Sequence, residues 1–247
     1  SKFAQSANYW KNSIGMNKCI DSIGLIAQKQ HYEDIIRHWQ DSTGYLKGQL
    51  DFDKMARLYN ERFEPRKAAM YFQETFLRTN ELTTRAMKAV TGTTKKDKKG
   101  DYVTFADNSN TWDASLDKDV QAVLLKNYRE HVDAKYLPAF YQIIDKKFGG
   151  DYQKYVNYLW ETSALMKKDA KVYVTKKAIK KDAGLQYGAQ LKAMREVFNR
   201  ALDATRDSID NQEQMLCAAK LRMEEDLPHY SDANFTMRLS YGQVGGF

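Results

Sequence analysis

The sequence predicts an all-α protein, a long antiparallel helical bundle, with one strand at its C-terminal end. Three observations support this prediction. Apolar residues recur every three or four positions along most of the chain, which is typical of helices. Only three prolines and thirteen glycines occur among 247 residues, so long helices are permitted. The segment Phe235–Tyr241 instead alternates apolar and polar side chains, which predicts a half-buried strand.

The first half of the chain predicts three helices and a loop. The first helix covers about 2–41, and a short helix follows over 51–62. Proline is favoured in the first turn of a helix, so a third helix is expected from Pro65 to about residue 90. Residues 93–113 are polar and predict a long loop with at most a short piece of strand.

The second half predicts three more helices. Ser115 is the expected N-cap of the first, Pro138 is expected to kink it, and Gly149 to stop it. A further helix is expected over about 151–168. The longest helix is expected over 185–227, with a continuous seam at three- and four-residue spacing. Its members are Leu191, Met194, Phe198, Ala201, Thr205, Ile209, Gln212, Leu216, Ala219 and Met223.

The net charge of +7 is concentrated in two lysine-rich stretches, 95–99 and 167–181. Such runs are usually solvated faces or loops. Nucleic-acid binding favours lysines interleaved with arginines and aromatic residues on one surface. These lysines are expected near helix ends and loops, so the sequence does not favour a nucleic-acid partner.

The sequence gives little indication of a membrane, secreted or disulfide-rich class of protein. No run of about 18 apolar residues occurs, so no membrane span is expected. Residues 1–10 do not have the pattern of a signal peptide. Cys19 and Cys217 are the only cysteines and suit either buried thiols or one disulfide.

Catalytic and metal-binding signatures are missing from the sequence. It contains no GxSxG elbow, no P-loop, no GxGxxG fingerprint and no CxxC pair. His31 and His38 are seven residues apart, too far for chelation by adjacent turns of a helix. Adjacent Glu224 and Glu225 point in different directions and are expected to be solvated. We therefore expect no catalytic residue, metal site or cofactor in this chain.

One polar stripe is unusual. Asn8, Asn12 and Gly15 share one face of the predicted first helix. Asparagine is a poor helix former because its amide competes for backbone groups. The stripe could serve helix–helix hydrogen bonding. Alternatively, it could bind a ligand, since a carboxamide oxygen can accept a hydrogen bond from a peptide ammonium group.

Two segments give the chain a family resemblance. "SANYWKNSIGMNK" near the start and "DANFTMRLSYGQVGG" near the end resemble bacterial serine dipeptidyl-peptidases of the dipeptidyl-peptidase 7 and 11 type. The resemblance covers essentially the whole chain. It implies a chymotrypsin-like double β-barrel with a large helical domain inserted in it, and a nucleophilic serine in a GNSGSP-type motif that this chain lacks.

The resemblance implies that the chain is a fragment of such an enzyme. Residues 1–228 would form the helical cap domain, and residues 229–247 a linker and a strand that re-enters the catalytic barrel. Alone, the fragment should be inactive because the triad lies outside it. Implied partners are peptides with a free N-terminus and the catalytic barrel of the same full-length chain. The resemblance further implies a periplasmic, cell-surface or secreted location, and a homodimer of the full-length enzyme is compatible with it.

The resemblance also gives the asparagine stripe a role. Enzymes of this family hold the substrate's α-amino group with a small polar cluster that includes an asparagine of the helical domain. Asn8 is the first choice for that residue and Asn12 the second. Two alternatives stay open at this point: a self-contained helical bundle that binds a partner or ligand without catalysis, and a basic helical nucleic-acid-binding protein.

Overall fold

A computed structural model describes most of the chain. It is mostly helical, and it divides into two compact units, Ser1–Asp51 with Asn211–Phe247 and Phe52–Asp210. The described residues are 15, 19–20, 22–77, 80–106, 113–227 and 242.

Besides two short 3-10 helices, Ala134–Tyr136 and Ala164–Met166, the described elements are eight α-helices and three short strands. In chain order they are α1 (Leu25–Thr43), α2 (Phe52–Phe76), α3 (Glu81–Thr91), β1 (Lys95–Asp97), β2 (Gly100–Thr104), α4 (Ala114–His131), α5 (Phe140–Phe148), α6 (Tyr152–Thr162), β3 (Lys171–Tyr173), α7 (Lys176–Lys181) and α8 (Ala183–Met223).

The long last helix is confirmed. Helix α8 has 41 residues, close to the predicted range, and every member of its predicted seam is buried or half-buried. The prediction of a mostly helical chain is likewise confirmed. The predicted strand Phe235–Tyr241 lies outside the described residues, so it stays a prediction.

The predicted break at Pro65 is wrong. Helix α2 passes through Pro65, although an interior proline loses a backbone hydrogen bond and costs about 3 kcal/mol. Pro65 is buried in the helix together with Phe72, and this packing outweighs the local cost. Helix α2 ends instead at Phe76, and Asn80 accepts a hydrogen bond from the Thr83 backbone N–H at the start of α3.

The predicted boundaries around α4 are also corrected. Asp113, not Ser115, is the N-cap, because its carboxylate accepts bonds from the backbone N–H groups of residues 115 and 116. Pro138 does not kink the helix, which has already ended at His131. The next helix begins two residues after Pro138, since proline lacks the donor a helix interior needs.

The segment 93–113, predicted as a loop with at most a short piece of strand, contains a hairpin. Strands β1 and β2 pair antiparallel, with Lys95 opposite Tyr102. Strand β3 joins the other side of β2, with Tyr102 opposite Tyr173. The predicted helix over 151–168 ends earlier, at Thr162, and is followed by this third strand at Lys171–Tyr173.

The core of residues 52–210 is built around aromatic rings. Phe76 packs edge-on against Tyr128, with 5.0 Å between ring centroids, and Phe140 lies 4.8 Å from Tyr187. Such pairs contribute about 0.5–1.5 kcal/mol each beyond the burial of their area. The buried amide of Gln121 accepts a hydrogen bond from the Trp160 indole at 2.9 Å.

Helices α3 and α8 approach each other at Gly188. A Cβ atom at this position would lie 2.7 Å from the carbonyl oxygen of Ala86 and 3.1 Å from its Cβ. The first contact is with the backbone of α3, which cannot swing away as a flexible side chain can. The absence of a side chain at Gly188 therefore allows the two helices to pack at this distance.

Within the other unit, Gln212 fixes the turn between α1 and α2. Its side-chain oxygen accepts from the Asp51 backbone N–H at 2.8 Å, and its side-chain nitrogen donates to the Gln49 carbonyl at 2.9 Å. The amide is almost fully buried. It therefore replaces water for two backbone groups at once. Cys19 and Cys217 are both exposed and free, so neither alternative expected of them applies.

We predict that Gly188→Ala lowers the free energy of unfolding by about 1–3 kcal/mol, the usual cost of overpacking. The sign of this change in unfolding free energy is informative, because alanine in place of glycine ordinarily stabilises a helix by about 0.5–1 kcal/mol. Urea unfolding monitored by circular dichroism measures the change. Asn199→Ala, at an exposed position of the same helix, is the control and should be neutral or stabilising. A stabilised Gly188→Ala variant would contradict the close approach.

We predict that Gln212→Ala lowers the free energy of unfolding of its unit by about 1–3 kcal/mol, because two backbone groups lose their partner. Hydrogen exchange should show faster exchange of the Asp51 amide. The matched control is Gln214→Ala, which removes an exposed amide of the same helix and should change stability by less than about 0.5 kcal/mol. Equal effects of the two substitutions would show that helix propensity, not the buried amide, is responsible.

Candidate functional site

The two asparagines expected to bind a peptide ammonium, Asn8 and Asn12, lie outside the described residues. Their proposed role therefore stays a prediction. The site must be assessed from the described surfaces of each unit.

The described histidines do not form a catalytic or metal-binding group. His31, His38 and His131 are all exposed, and His131 stacks on Tyr71 with 5.4 Å between ring centroids. His229 lies outside the described residues. Within the part of the chain that the structure describes, no three histidine, cysteine, aspartate or glutamate side chains come together as a metal site.

The paired glutamates take different structural roles. Glu224 accepts a hydrogen bond from the Tyr32 hydroxyl, while Glu225 pairs with Arg222. Burial and the neighbouring Glu224 carboxylate raise the pKa of Tyr32 to about 12, so the phenol keeps its proton and donates. This bond joins α1 to the end of α8. The carboxylates are therefore not an acid–base pair.

A shallow cleft of about 480 Å³ lies beside this bond. Its walls combine an aliphatic and an aromatic side chain with imidazole and carboxylate groups, so it could hold a small amphipathic ligand. It is lined by His31, Asp34, Ile35, His38, Trp39, Ser42 and Met223.

A larger groove of about 540 Å³ follows one face of α2. Large apolar side chains are unusually exposed there, with Phe63 at 62% and Met70 at 58% of their maximum accessible area. Guanidinium and ammonium groups lie between them. The lining residues are Tyr59, Arg62, Phe63, Arg66, Lys67, Met70 and Tyr71. We call them the α2 face.

The α2 face has the side-chain types that are suited to non-covalent contact with a peptide or protein segment. Exposed aromatic and methionine side chains with arginines are characteristic of interaction surfaces. Arg62 and Arg66 can each donate two parallel hydrogen bonds to a carboxylate. Sequence analysis missed this face because the helix was divided at Pro65. With α2 continuous, the positions recur at helical spacing and the signal becomes visible.

Among the described residues, the most deeply buried cation has a structural role. Arg85 is only 5% exposed and pairs with Glu81 at 2.7 Å. Its other donors reach the carbonyl oxygens of Leu165 at 3.0 Å and Ala106 at 3.2 Å. These contacts fasten two loops to α3. Three of its N–H donors are thus used within the protein.

Comparison with known proteins identifies the family. The family model described as Peptidase S46 matches residues 1–247, the entire chain. The chain belongs to the peptidase S46 family. The resemblance stated from the two terminal segments is thereby confirmed. In the described residues of this S46 chain, no helix is long and apolar enough to cross a membrane.

The curated relatives of this S46 chain carry two different names. Dipeptidyl-peptidase 7 of Porphyromonas gingivalis is 30% identical over 258 residues, covering 100% of this chain and 36% of the relative. A protein of the same name from Phocaeicola vulgatus is 30% identical, with coverage of 100% and 36%. The Asp/Glu-specific dipeptidyl-peptidase of P. gingivalis is 25% identical, again with coverage of 100% and 36%. The chain thus spans about a third of the length of these relatives.

We predict that Phe63→Ala changes the free energy of unfolding by less than about 0.5 kcal/mol, as expected of an exposed position. Phe72→Ala on the same helix, at a position 2% exposed, should cost about 3–5 kcal/mol. Chemical unfolding of both variants measures the contrast between identical substitutions. A large loss for Phe63→Ala would mean that its ring is a packing element and that the α2 face is not an open surface.

Proposed function

We propose that this S46 chain is the helical substrate-capping domain of a serine exopeptidase that removes dipeptides from the free N-terminus of oligopeptides. One observation carries the proposal. Relatives named dipeptidyl-peptidase 7 and relatives named Asp/Glu-specific dipeptidyl-peptidase both match this chain over its full length. Both names state a dipeptidyl product, and only the second states a side-chain specificity. A segment common to both is suited to the shared task, which is to count two residues.

Counting residues from the N-terminus requires an anchor for the α-ammonium group. Such an anchor places the scissile bond at a fixed distance from the nucleophile and converts binding energy into orientation. An asparagine carboxamide on a helix provides a neutral acceptor in a fixed position. Asn8 is our first candidate for this role and Asn12 the second, on the basis of the "ANYWKN" segment.

The chemical step itself is assigned to other parts of the full-length protein. We propose that a nucleophilic serine, its histidine base and its aspartate lie in a catalytic double β-barrel, to which residues 229–247 return. Isolated, this chain should then have no peptidase activity. Action on peptides in the periplasm or at the cell surface belongs to the same proposal.

The α2 face is our candidate for contact with the peptide beyond the cleaved dipeptide. Its exposed Phe63 and Met70 can cover apolar side chains, and the arginines can pair with peptide carboxylates. The prediction for full-length enzyme is that Phe63→Ala weakens hydrolysis of long peptides more than that of dipeptidyl reporter substrates.

The decisive test is Asn8→Ala in the full-length enzyme. A hydrogen bond to a charged group contributes about 1.5–3 kcal/mol, so kcat/KM for peptides with a free amino group should fall by roughly 10- to 150-fold. N-terminally blocked peptides have no ammonium group, and any residual activity on them should change much less. Steady-state kinetics on matched free and blocked substrates measures both effects.

Asn12→Ala is the matched control, because Asn12 lies one turn further along the same predicted face. If kcat/KM falls for Asn12→Ala and not for Asn8→Ala, the anchor is Asn12. If neither substitution changes kcat/KM while both lower the melting temperature, the stripe is structural and the ammonium anchor is wrong.

A further inference from the structure

The two lysine-rich stretches, far apart in sequence, form one surface. Strand β3 belongs to the second stretch, 167–181. It pairs with β2 of the hairpin that carries the first stretch, 95–99. The Val174 backbone N–H donates to the Asp101 carbonyl at 2.8 Å. A Cβ atom at Gly100 would lie 3.3 Å from the Thr175 side chain. The hairpin turn therefore lies beside the start of α7. We call residues 95–101 and 167–182 the lysine surface.

The lysine surface holds an excess of charge equal to that of the entire chain. It contains eleven lysines and four aspartates, an excess of seven, and the net charge of the chain is +7. All eleven lysines are exposed. Elsewhere, positive and negative residues balance. The excess positive charge of the sequence therefore lies in these two segments.

The aspartates of this surface are mostly occupied by local structure. Asp97 pairs with Lys171 at 2.9 Å, and that ammonium group lowers the pKa of the Asp97 carboxyl. Asp182 accepts from Ser163 at 2.8 Å and from the Leu185 backbone N–H at 2.9 Å. Lys98, Lys99, Lys176 and Lys177 form no ion pair with any described residue, so their charges face solvent.

We infer that the lysine surface adsorbs this chain to an anionic lipid bilayer by pairing lysine ammonium groups with headgroup phosphates. A cluster of surface lysines is attracted to anionic bilayers, and each lysine near such a surface strengthens binding by roughly fivefold. The interaction is peripheral and adds to the proposed peptidase role without depending on it.

The residue types favour a lipid surface over a nucleic acid. The lysine surface contains no arginine, the residue that recognises phosphates and bases by paired hydrogen bonds. The ring of Tyr173, which belongs to this surface, and that of the neighbouring Tyr102 are also occupied. Tyr102 and Tyr173 pack on each other with 5.8 Å between ring centroids, and the Lys171 ammonium lies 3.9 Å from the Tyr102 ring centroid. These faces are therefore unavailable for stacking on bases.

The same surface is unlike a protein-binding patch. Both of its segments are described throughout, and none of their large hydrophobic side chains is among the exposed ones. Stable protein interfaces have an apolar, aromatic centre. A diffuse charge on flexible stems suits a partner that presents many mobile anions, and this is what a bilayer of acidic lipids offers.

The test is vesicle sedimentation of the 247-residue chain. It should pellet with phosphatidylglycerol vesicles and stay in solution with phosphatidylcholine vesicles at 50 mM NaCl. Raising NaCl to 500 mM should release it, because at that ionic strength salt screens charge interactions beyond a distance of a few ångströms. The fourfold variant Lys98→Gln, Lys99→Gln, Lys176→Gln and Lys177→Gln should bind at least about tenfold more weakly. The matched control replaces Lys29, Lys126, Lys146 and Lys147, four exposed lysines outside the lysine surface, by glutamine.

The control variant has the same net charge as the fourfold variant and should bind within about twofold of the unaltered chain. Circular dichroism checks that both are folded, and if the fourfold variant is not, Lys98→Gln with Lys99→Gln in the hairpin turn replaces it. Equal losses in both variants would overturn the inference, because binding would then follow total charge. Absence of binding to phosphatidylglycerol, or binding to a DNA oligonucleotide that depends on the same lysines without vesicle binding, would also overturn it.

Discussion

The close approach of α3 to α8 at Gly188 is the contact on which the packing of residues 52–210 depends. It brings the backbone of Ala86 against α8 with no side chain between them. The rings of Phe76 and Tyr187 pack in the same core, with 6.4 Å between their centroids. Buried Gln121 then satisfies the Trp160 indole. A side chain at position 188 would push the helices apart and loosen each of these contacts.

Sequence periodicity predicted the helices better than their boundaries. The seam of α8 was recognisable because one element carries a regular apolar stripe over 41 residues. The predicted break at Pro65 was wrong because local helix propensity contains no information about the burial that offsets the cost of an interior proline. Asp113 was passed over as a cap in favour of Ser115, although both are good caps, and only the backbone geometry decides between them. Strand β3 could not be foreseen, since three residues have no period and their partner is distant.

One candidate site was predictable from the sequence, and two others were recognisable only from the structure. Asn8 and Asn12 were selected by an unfavourable residue type at helical spacing, and the family match supports the context in which they were interpreted. The α2 face becomes recognisable only when α2 is known to continue through Pro65. The sequence pattern divides this helix at the proline. The lysine surface required a pairing between segments about 70 residues apart. Long-range pairing is the information that a single sequence carries least clearly, because many partners satisfy the same local pattern.

The pairing of β2 with β3 has a consequence for how this chain folds. Val103 lies opposite Val172, and the chain between them contains the whole of α4, α5 and α6. Closing so long a loop carries an entropic cost that local helix formation does not. Helices can therefore form within microseconds, while the strands meet only after the intervening helices have packed. The pairing of β2 with β3, unlike the local β1–β2 hairpin, is thus expected late in folding, and its hydrogen bonds complete the unit rather than nucleate it.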